Sequence, residues 1–313
     1  ERRRRAARRA GGSDEGRQAV SEPRHIGGRH RRAQAAEPLL VTALSYASPR
    51  VRRLRRLIGR SSARRSERAF VAEGAKVISE ALESAGGVEA LFFDPATSGP
   101  AEEEVVERAA SAGCDVFELA PGVLERVAGT VTPQPLLAVV PCLDQPLERL
   151  GRDGLVVVCA GVRDPGNLGT VLRSAEAAGV RGVVCAEGTV DPYNPKCVRA
   201  TAGALFHVPL VVGGNTVQVL GQLGIWGLDR VGASARSGTP LWFTDLTGPV
   251  AVVLGNEASG LPLEVEAELD GHVTIPIEGR SESLNVGMAA TVLVYEAARQ
   301  RRAESPDGSA GPA

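Results

Sequence analysis

Two spacings of apolar residues alternate along the chain from residue 69 to residue 302. Short runs rich in Val, Leu and Ile are typical of buried strands, and they predict strands at Ala69–Glu73, Val88–Asp94, Asp115–Leu119, Leu136–Val140, Leu155–Ala160, Gly182–Ala186, Val208–Val212, Trp226–Asp229, Val250–Leu254 and Val273–Ile277. Segments with apolar residues every three or four positions predict helices at Ala75–Ala85, Glu102–Ala112, Leu168–Ala178, Pro195–Ala202, Thr216–Leu223 and Met288–Arg302. In the second half, strands that are apolar throughout alternate with helices, which predicts an α/β fold with a parallel sheet covered on both faces.

A further helix, rich in arginine, is predicted before the first strand. Ser48 and Pro49 suit the N-cap and the first position of a helix. Its apolar face holds Val51, Leu54, Leu57 and Ile58, and its other positions include Arg52, Arg53, Arg55, Arg56 and Arg60. A solvated face is one interpretation of these arginines. We favour contact with nucleic-acid phosphates, because guanidinium groups pair with phosphates and release counterions.

Charge is distributed unevenly along the 313 residues, although the net charge is only −1. Between Glu1 and Arg68 there are 20 arginines and 6 acidic residues, a net charge of +14, which leaves −15 for the rest. This split indicates an anionic partner on the amino-terminal side, nucleic acid before membrane. Residues 1–38 lack an apolar period and are expected to form a disordered basic tail. A solvated tail, an RNA-binding arm and an organellar transit segment remain open. The chain begins with Glu1, so a fragment or a processed form is expected.

Cysteine and histidine usage indicates an ordinary intracellular protein. The five cysteines are odd in number, form no C-x-x-C pair and mostly lie in apolar runs, so we expect reduced core residues in the cytoplasm. No apolar run approaches the roughly 20 residues needed to span a bilayer, and no membrane partner is expected. His207 and His272 each flank a predicted strand without metal-ligand spacing around them, which favours structural roles and no metal site.

Three predicted strands in the second half of the chain are each followed by a polar turn. The turns span residues 162–169, 255–261 and 279–285. In an open α/β sheet, such turns at the carboxyl ends of strands can converge on one crevice. Ser283 is the expected N-cap of the last helix, whose apolar face holds Val286, Ala289, Ala290, Leu293, Val294 and Ala297.

Motifs in these turns resemble, in order, the three motifs of the SpoU/TrmH family of RNA ribose methyltransferases. They are Asn167-Leu168-Gly169 with Arg173, Gly255-Asn256-Glu257 with Gly260-Leu261, and Ile275-Pro276 with Ser283-Leu284-Asn285. A fourth, less diagnostic stretch begins at Asn194-Pro195-Lys196. The resemblance covers roughly residues 40 to 302 of this chain.

The resemblance implies a division of the chain into domains. A small α/β, ribosomal-protein-like domain at residues 39–145 would bind the RNA substrate, and Phe70–Gly74 looks like part of it. Residues 154–303 would form the SpoU-type methyltransferase domain, a parallel-sheet domain with a deep trefoil knot made by its last three loops. Residues 304–313 would be a flexible tail.

The cofactor implied by the resemblance is S-adenosylmethionine. The matching positions are Leu254, Gly255, Asn256, Gly260, Ile275, Ile277, Ser283, Leu284 and Asn285. The apolar members would enclose the adenine, and the glycines, which lack Cβ, would allow close approach. Taken one at a time, the apolar residues are equally well explained as strand core.

The catalytic residues implied by the resemblance are Arg173, Asn167, Glu257, Ser283 and Asn285. Asn167 and Glu257 would shape the place where ribose and methyl group meet, with turn formation as the alternative. Asn285 and Ser283 would help to hold the cofactor and the target nucleotide, although Ser283 could serve only as a helix cap.

Arg173 has two functional interpretations and one structural one. Arginine is normally always protonated, so we favour an arginine that binds the phosphate beside the target ribose and orients or acidifies its 2′-hydroxyl. Action as a general base is the second interpretation. A structural ion pair with Glu176 is the third.

The sequence therefore predicts a cytoplasmic, S-adenosylmethionine-dependent RNA 2′-O-ribose methyltransferase that acts on ribosomal RNA in preference to transfer RNA. The resemblance further implies a homodimer. The alternatives are a non-catalytic RNA-binding factor for ribosome assembly or resistance, a transfer-RNA ribose methyltransferase, and a related enzyme that methylates a base.

Overall fold

Two β-sheets flanked by helices organise the part of the chain that the structure describes, residues 43–128 and 132–304. The structure is a computed structural model. The predicted basic tail, residues 1–38, lies outside the described residues, as does the predicted tail 304–313 apart from Glu304, which ends the last helix. Both sheets belong to one compact unit.

The first sheet has four strands in the spatial order β1-β4-β2-β3. The strands are β1 (Ala69–Glu73), β2 (Ala90–Phe93), β3 (Asp115–Glu118) and β4 (Leu136–Pro141). Only β2 and β3 pair in parallel, whereas β4 is antiparallel to both β1 and β2. The accompanying helices are α1 (Pro49–Gly59), α2 (Ser61–Glu67), α3 (Ala75–Glu83), α4 (Pro100–Ser111) and α5 (Val123–Val127).

The second sheet has seven strands, and every pairing in it is parallel. The strands are β5 (Leu155–Cys159), β6 (Gly182–Cys185), β7 (Leu210–Val212), β8 (Asp229–Ala233), β9 (Thr239–Pro240), β10 (Val250–Leu254) and β11 (Gly271–Thr274), in the order β7-β6-β5-β10-β8-β11-β9. The helices are α6 (Pro165–Ala177), α7 (Pro195–Thr201), α8 (Thr216–Ile225), α9 (Leu263–Glu266) and α10 (Val286–Glu304). Every residue of the central strands β5 and β10 is buried, which confirms the predicted parallel sheet covered on both faces.

Two strand predictions were wrong in a way that affects the site. The strand expected at Trp226–Asp229 instead begins at Asp229, because α8 and its C-terminal turn include Trp226. The strand expected at Val273–Ile277 ends at Thr274. Pro276 has no N–H to donate to a ladder, so the segment from Ile275 to Ile277 leaves the sheet.

One apolar core joins the two sheets. It runs from Phe70 and Leu136 of the first sheet to Val157 of the second. The ring of Phe70 stacks on that of Tyr193 with centroids 4.8 Å apart. The Tyr193 hydroxyl donates to Asp144 Oδ1 at 2.7 Å, and burial followed by this hydrogen bond raises the pKa of Tyr193. These contacts hold the first sheet against the second.

Candidate active site

The first turn of α6 presents Asn167 at the edge of the second sheet. β5 leads through a short loop to Asp164, whose Oδ1 accepts the Asn167 N–H at 2.8 Å and caps the helix. Pro165 occupies the first helical position, where its missing N–H leaves no donor unsatisfied. A Cβ at Gly169 would lie 2.4 Å from the Cβ of Ala200, so glycine there lets α6 lie close against α7.

The Glu257 carboxylate connects the turn after β10 to the turn after β5. Its Oε2 accepts the backbone N–H of Arg163 at 3.1 Å, and its Oε1 accepts that of Asp164 at 3.1 Å. The Asn167 side chain donates to Oε1 at 3.0 Å. The Glu257 carboxylate therefore fixes the loop that begins α6 by three hydrogen bonds, two of which have backbone N–H donors.

Asn285 brings the third turn into the same cluster. Its Oδ1 accepts the N–H groups of Gly287 at 2.9 Å and Met288 at 3.3 Å, so Asn285 caps α10. Its Nδ2 donates to Asn167 Oδ1 at 2.8 Å. The expectation that Ser283 is the N-cap was wrong, because Asn285 immediately precedes the helix and supplies the acceptor. The three turns thus meet through one chain of hydrogen bonds, from Asn285 through Asn167 to Glu257.

The pKa of Glu257 is set by opposing influences. Burial is the largest, and it raises the pKa. Hydrogen bonds from Asn167 and from the backbone, including the N–H groups of Arg163 and Asp164, favour the charged form and together prevail, so the pKa lies below 4.5. The carboxylate is therefore ionised, and acts as an acceptor, throughout the neutral range.

This shift predicts how Glu257→Gln will behave with pH. A carboxylate whose folded pKa is depressed stabilises the fold above its unfolded pKa, and this stabilisation is lost as pH falls through the folded value. We expect the melting temperature of wild type to exceed that of Glu257→Gln by a constant margin from about pH 5.5 to 8, and the margin to shrink below about pH 4.5. Glu264→Gln, at an exposed position, should show no such trend. A margin independent of pH across this range would contradict the assignment.

A cleft of about 630 Å³ lies beside these turns. Its walls include all nine residues matched to the cofactor: Leu254, Gly255, Asn256, Gly260, Ile275, Ile277, Ser283, Leu284 and Asn285. A Cβ at Gly255 would lie 2.6 Å from the backbone carbon of Gly260, so only glycine allows the turn to fold back at this point. Ile275 and Ile277 reach the cleft because they have left the sheet.

One wall of the cleft was missed from the sequence. Ala233, the last residue of β8, and the three residues after it, Ser234, Ala235 and Arg236, line the cleft together with Glu266 and Glu282. The Ser234 hydroxyl accepts the N–H groups of Arg236 and Ser237, both at 3.2 Å, which shapes this turn. The run of small residues after Val231 was the available signal, but the strand had been predicted too early in the chain.

Arg173 is exposed on α6 and does not line the cleft. Within the described residues its side chain makes no hydrogen bond or ion pair, so the structural pair with Glu176 is absent. The neighbouring Ser174 hydroxyl lies 2.7 Å from that of Thr291, which fixes α6 against α10. The guanidinium is therefore available to a ligand from solvent.

The five arginines predicted to contact RNA, four of them in α1 and the fifth just after it, divide into two groups. Arg53 Nε donates to Glu67 at 2.7 Å, its other nitrogens hold Glu89, and Arg56 also donates to Glu67 at 3.0 Å. The hydrogen bond that Arg53 donates to Glu89 is the main reason why the pKa of Arg53 is raised. Donors of Arg53 and one donor of Arg56 are thus used within the fold, so RNA contact by these two arginines stays a prediction that competes with these ion pairs. The other three, Arg52, Arg55 and Arg60, are exposed.

Other chemistry suggested by the residues has ordinary structural explanations. His207 Nε2 lies 2.8 Å from Glu80, and His272 pairs with Glu266. Across residues 43–128 and 132–304, no cluster of three or more His, Cys, Asp or Glu side chains is arranged to hold a metal. The cysteines are all free thiols. None of the helices in the described ranges combines the length and apolar character needed to cross a membrane.

Comparison with known proteins agrees with this geometry. The model of the SpoU rRNA Methylase family matches residues 154–295, and that of the MRM3-like substrate binding domain matches residues 48–138. The chain is 34% identical over 226 residues to the 23S rRNA (guanosine(2553)-2'-O)-methyltransferase RlmP of Bacillus subtilis (strain 168), over 72% of this chain and 87% of the relative. It is 31% identical over 263 residues to the 23S rRNA (uridine(2479)-2'-O)-methyltransferase of Streptomyces viridochromogenes, over 78% of this chain and 88% of the relative.

A solved structure shares most of the described architecture. The SpoU methyltransferase AviRb from Streptomyces viridochromogenes, in complex with the cofactor AdoMet, matches with a TM-score of 0.74 and 29% identity, over 81% of this chain and 98% of that one. These two relatives and this structure are covered over most of their own length, so the likeness extends beyond the parallel sheet to the amino-terminal region. The chain belongs to the SpoU rRNA Methylase family.

Proposed function

We propose that this protein transfers a methyl group from S-adenosylmethionine to a ribose 2′-hydroxyl of ribosomal RNA. The observation that carries the proposal is the chain of hydrogen bonds from Asn285 through Asn167 to Glu257 at the border of the cleft. A protein that only bound RNA would have no need of three polar side chains aligned beside a cleft of this size. The relatives named as 23S rRNA 2'-O-methyltransferases support ribosomal RNA as the substrate class.

The residues of the cleft fit the cofactor. The volume of about 630 Å³ lies in the range of small-molecule sites. Leu254, Ile275, Ile277 and Leu284 offer apolar surface to an adenine, and Gly255 brings backbone close where a side chain could not fit. When bound, S-adenosylmethionine supplies an electrophilic methyl group on a positively charged sulfur. Glu257 and Glu282 place negative charge in the same cleft as this cation.

The protein's contribution to the reaction is to position the hydroxyl and to ease the loss of its proton, which passes to water when Arg173 orients or acidifies the hydroxyl and to Arg173 when it acts as a base. As the ribose oxygen gains the methyl group, its proton must leave. Arg173 binds the phosphate beside the target ribose and orients or acidifies the hydroxyl, with general-base action as the second possibility. Asn167 is held on both sides, by Glu257 and by Asn285, and can present a fixed amide to the sugar. Ser283 borders the cleft and contacts the cofactor or the target nucleotide.

The domain bounds, the knot and the cellular location remain part of this proposal. Residues 39–145 are the RNA-docking domain and residues 154–303 the methyltransferase domain, whose last three loops form a deep trefoil knot. The strand order β5-β10-β8 supports the knot, because the chain returns to place β10 between two strands that precede it in the sequence. The protein acts in the cytoplasm.

The function is tested by methylating unmodified 23S rRNA transcribed in vitro, with radiolabelled S-adenosylmethionine. Digestion to nucleosides should recover the label in 2′-O-methylated nucleosides, and transfer RNA should be a poor acceptor. Label in a base would instead support a base methyltransferase. Failure to bind S-adenosylmethionine by calorimetry would favour a non-catalytic RNA-binding factor.

We also propose that the protein is a homodimer that packs through α10. Met288 and Tyr295 lie seven residues apart on one face of this helix and are 61% and 51% exposed. Trp242 and Phe243 are exposed as well, and Thr244, the next residue, accepts a hydrogen bond from Gln300 of α10. Large apolar side chains exposed together mark an interaction surface.

The dimer predicts different outcomes for two exposed apolar positions. Tyr295→Asp should convert a dimer into a monomer at micromolar concentration, because it places a charge in an apolar contact. Ile225→Asp, at a more exposed apolar position on α8, should leave the dimer intact. Light scattering after gel filtration gives the mass. A wild-type protein that is monomeric at the highest soluble concentration would contradict the proposal.

A further inference from the structure

Two arginines from different helices lie against one tyrosine ring in the amino-terminal region. The guanidinium carbon of Arg55, on α1, is 4.3 Å from the centroid of the Tyr46 ring. That of Arg126, on α5, is 3.7 Å from the same centroid. Both arginines are exposed. The contact is of the cation–π type, in which the face of the ring attracts the cation.

The backbone beside Tyr46 is fixed to the first sheet. The Leu44 N–H donates to the Glu118 carbonyl at 2.7 Å, and the Ala120 N–H donates to the Leu44 carbonyl at 3.0 Å. Tyr46 therefore stands on an anchored segment, between α1 and the helix that carries Arg126. The two cations are brought together by tertiary structure and not by proximity in sequence.

Neither cation is neutralised within the fold. In the part of the chain that the structure describes, Arg55 and Arg126 make no ion pair with a carboxylate, whereas Arg53 and Arg56 of the same α1 are both paired with Glu67. Two like charges that contact the same ring repel each other, and the ring offsets only part of this repulsion. Such a pair is stabilised by bound anions that accept hydrogen bonds from the guanidinium groups.

The surface around this pair carries further exposed arginines, one of them again over an aromatic ring. Arg50 lies 4.5 Å from the centroid of the Phe117 ring, again over an aromatic face. Arg52, also on α1, is exposed and has no ion pair among the described residues. A phosphate is the anion that suits this surface, because planar guanidinium groups pair with its oxygens in a bidentate manner.

We infer that Arg55 and Arg126, held by Tyr46, form a docking site for backbone phosphates of the RNA substrate, with Arg50 and Arg52 extending it along the strand. The inference rests on the proposed function only for the identity of the RNA. Tyr46 is a positioning residue that sets the separation and direction of the two guanidinium groups. The site supplies affinity without base contacts, so it positions the RNA and does not read its sequence.

The test measures binding of the full-length protein to fluorescently labelled 23S rRNA transcribed in vitro, over a series of KCl concentrations. The Arg55→Ala/Arg126→Ala variant should bind about tenfold more weakly or worse, because two charge-assisted hydrogen-bonding groups are lost. The slope of log affinity against log salt should fall by roughly one to two, since each phosphate contact contributes about 0.7 to 0.9. The matched control is Arg149→Ala/Arg152→Ala, which removes two exposed arginines beside β5 and should leave affinity and slope unchanged.

Substitutions of Tyr46 distinguish a positioning role of the ring from an effect of the positive charge alone. Tyr46→Ala keeps both arginines and should still weaken binding several-fold, and Tyr46→Phe should restore most of the loss, because an aromatic face is sufficient. Equal losses in the Arg149→Ala/Arg152→Ala control, or wild-type affinity in Arg55→Ala/Arg126→Ala, would overturn the inference. Calorimetry with S-adenosylmethionine should give wild-type affinity for every variant. If wild type itself fails to bind this cofactor, the proposed function fails, while the RNA measurement still decides the docking site.

Discussion

Arg173→Lys is expected to lower the rate of methyl transfer by about 100-fold while leaving the affinity for S-adenosylmethionine unchanged. The loss is of the size seen when one preorganised donor to a reacting centre is removed. Lysine keeps the positive charge but has a single ammonium group, and it cannot hold a phosphate and a ribose oxygen in a fixed planar arrangement. The guanidinium is exposed and unpaired among the described residues, and it lies outside the cleft, so cofactor binding should not depend on it.

Single-turnover rates with 23S rRNA, and calorimetry with the cofactor, would measure the two quantities separately. Arg152→Lys is a suitable control, because Arg152 is exposed beside the Trp226 ring and before β5. A general-base mechanism predicts a different result. Lysine loses its proton more readily than arginine, so the lysine variant would recover as pH rises. A near-normal rate at neutral pH would contradict the positioning role.

The convergence of the three turns could be predicted because the residues that form it lie in short segments of the sequence. Asn167, Glu257 and Asn285 each follow a strong apolar run by a few residues, and parallel strands place their carboxyl ends at one edge. What the sequence did not resolve is which atom each side chain uses. Asn285, and not Ser283, caps α10, and the same asparagine also contacts Asn167. Both roles depend on where the helix begins, which differs by two residues from the position expected.

The arginines were harder to interpret, because a run of positive charges in the sequence does not show which side chains pair with acidic residues of the same chain. The five arginines of α1 look alike in sequence, yet Arg53 and Arg56 are held by Glu67. The sequence gives no reason to expect a role for Arg126, because it is a single arginine in a short apolar helix without a periodic pattern. The segment that forms α2 was also missed, because Ser61–Glu67 is almost entirely polar. This helix is stabilised by the ion pair between its Arg64 and Asp191, a residue more than a hundred positions away in the chain.

That contact gives the second large expected effect: Asp191→Ala should lower the free energy of unfolding by roughly 3–5 kcal/mol. The Arg64 side chain, on α2, is only 4% exposed, and its Nη2 lies 2.7 Å from Asp191 Oδ2. Its Nη1 donates to the carbonyls of Leu57 and Ile58 at 2.6 and 3.2 Å. Removing Asp191 would leave a buried guanidinium without its counter-charge, which is far more unfavourable than losing an exposed pair.

Urea denaturation followed by circular dichroism would measure the effect. Glu89→Ala removes one partner of Arg53 at a half-exposed site and should change the free energy of unfolding by less than about 1 kcal/mol. Arg64→Met combined with Asp191→Ala should be more stable than Asp191→Ala alone, since no buried charge is then left unpaired. If Asp191→Ala were as mild as Glu89→Ala, the charge of Arg64 would have to be compensated elsewhere. Such a result would contradict the role we assign to the Arg64–Asp191 pair, which is to hold α1 and α2 against the second sheet.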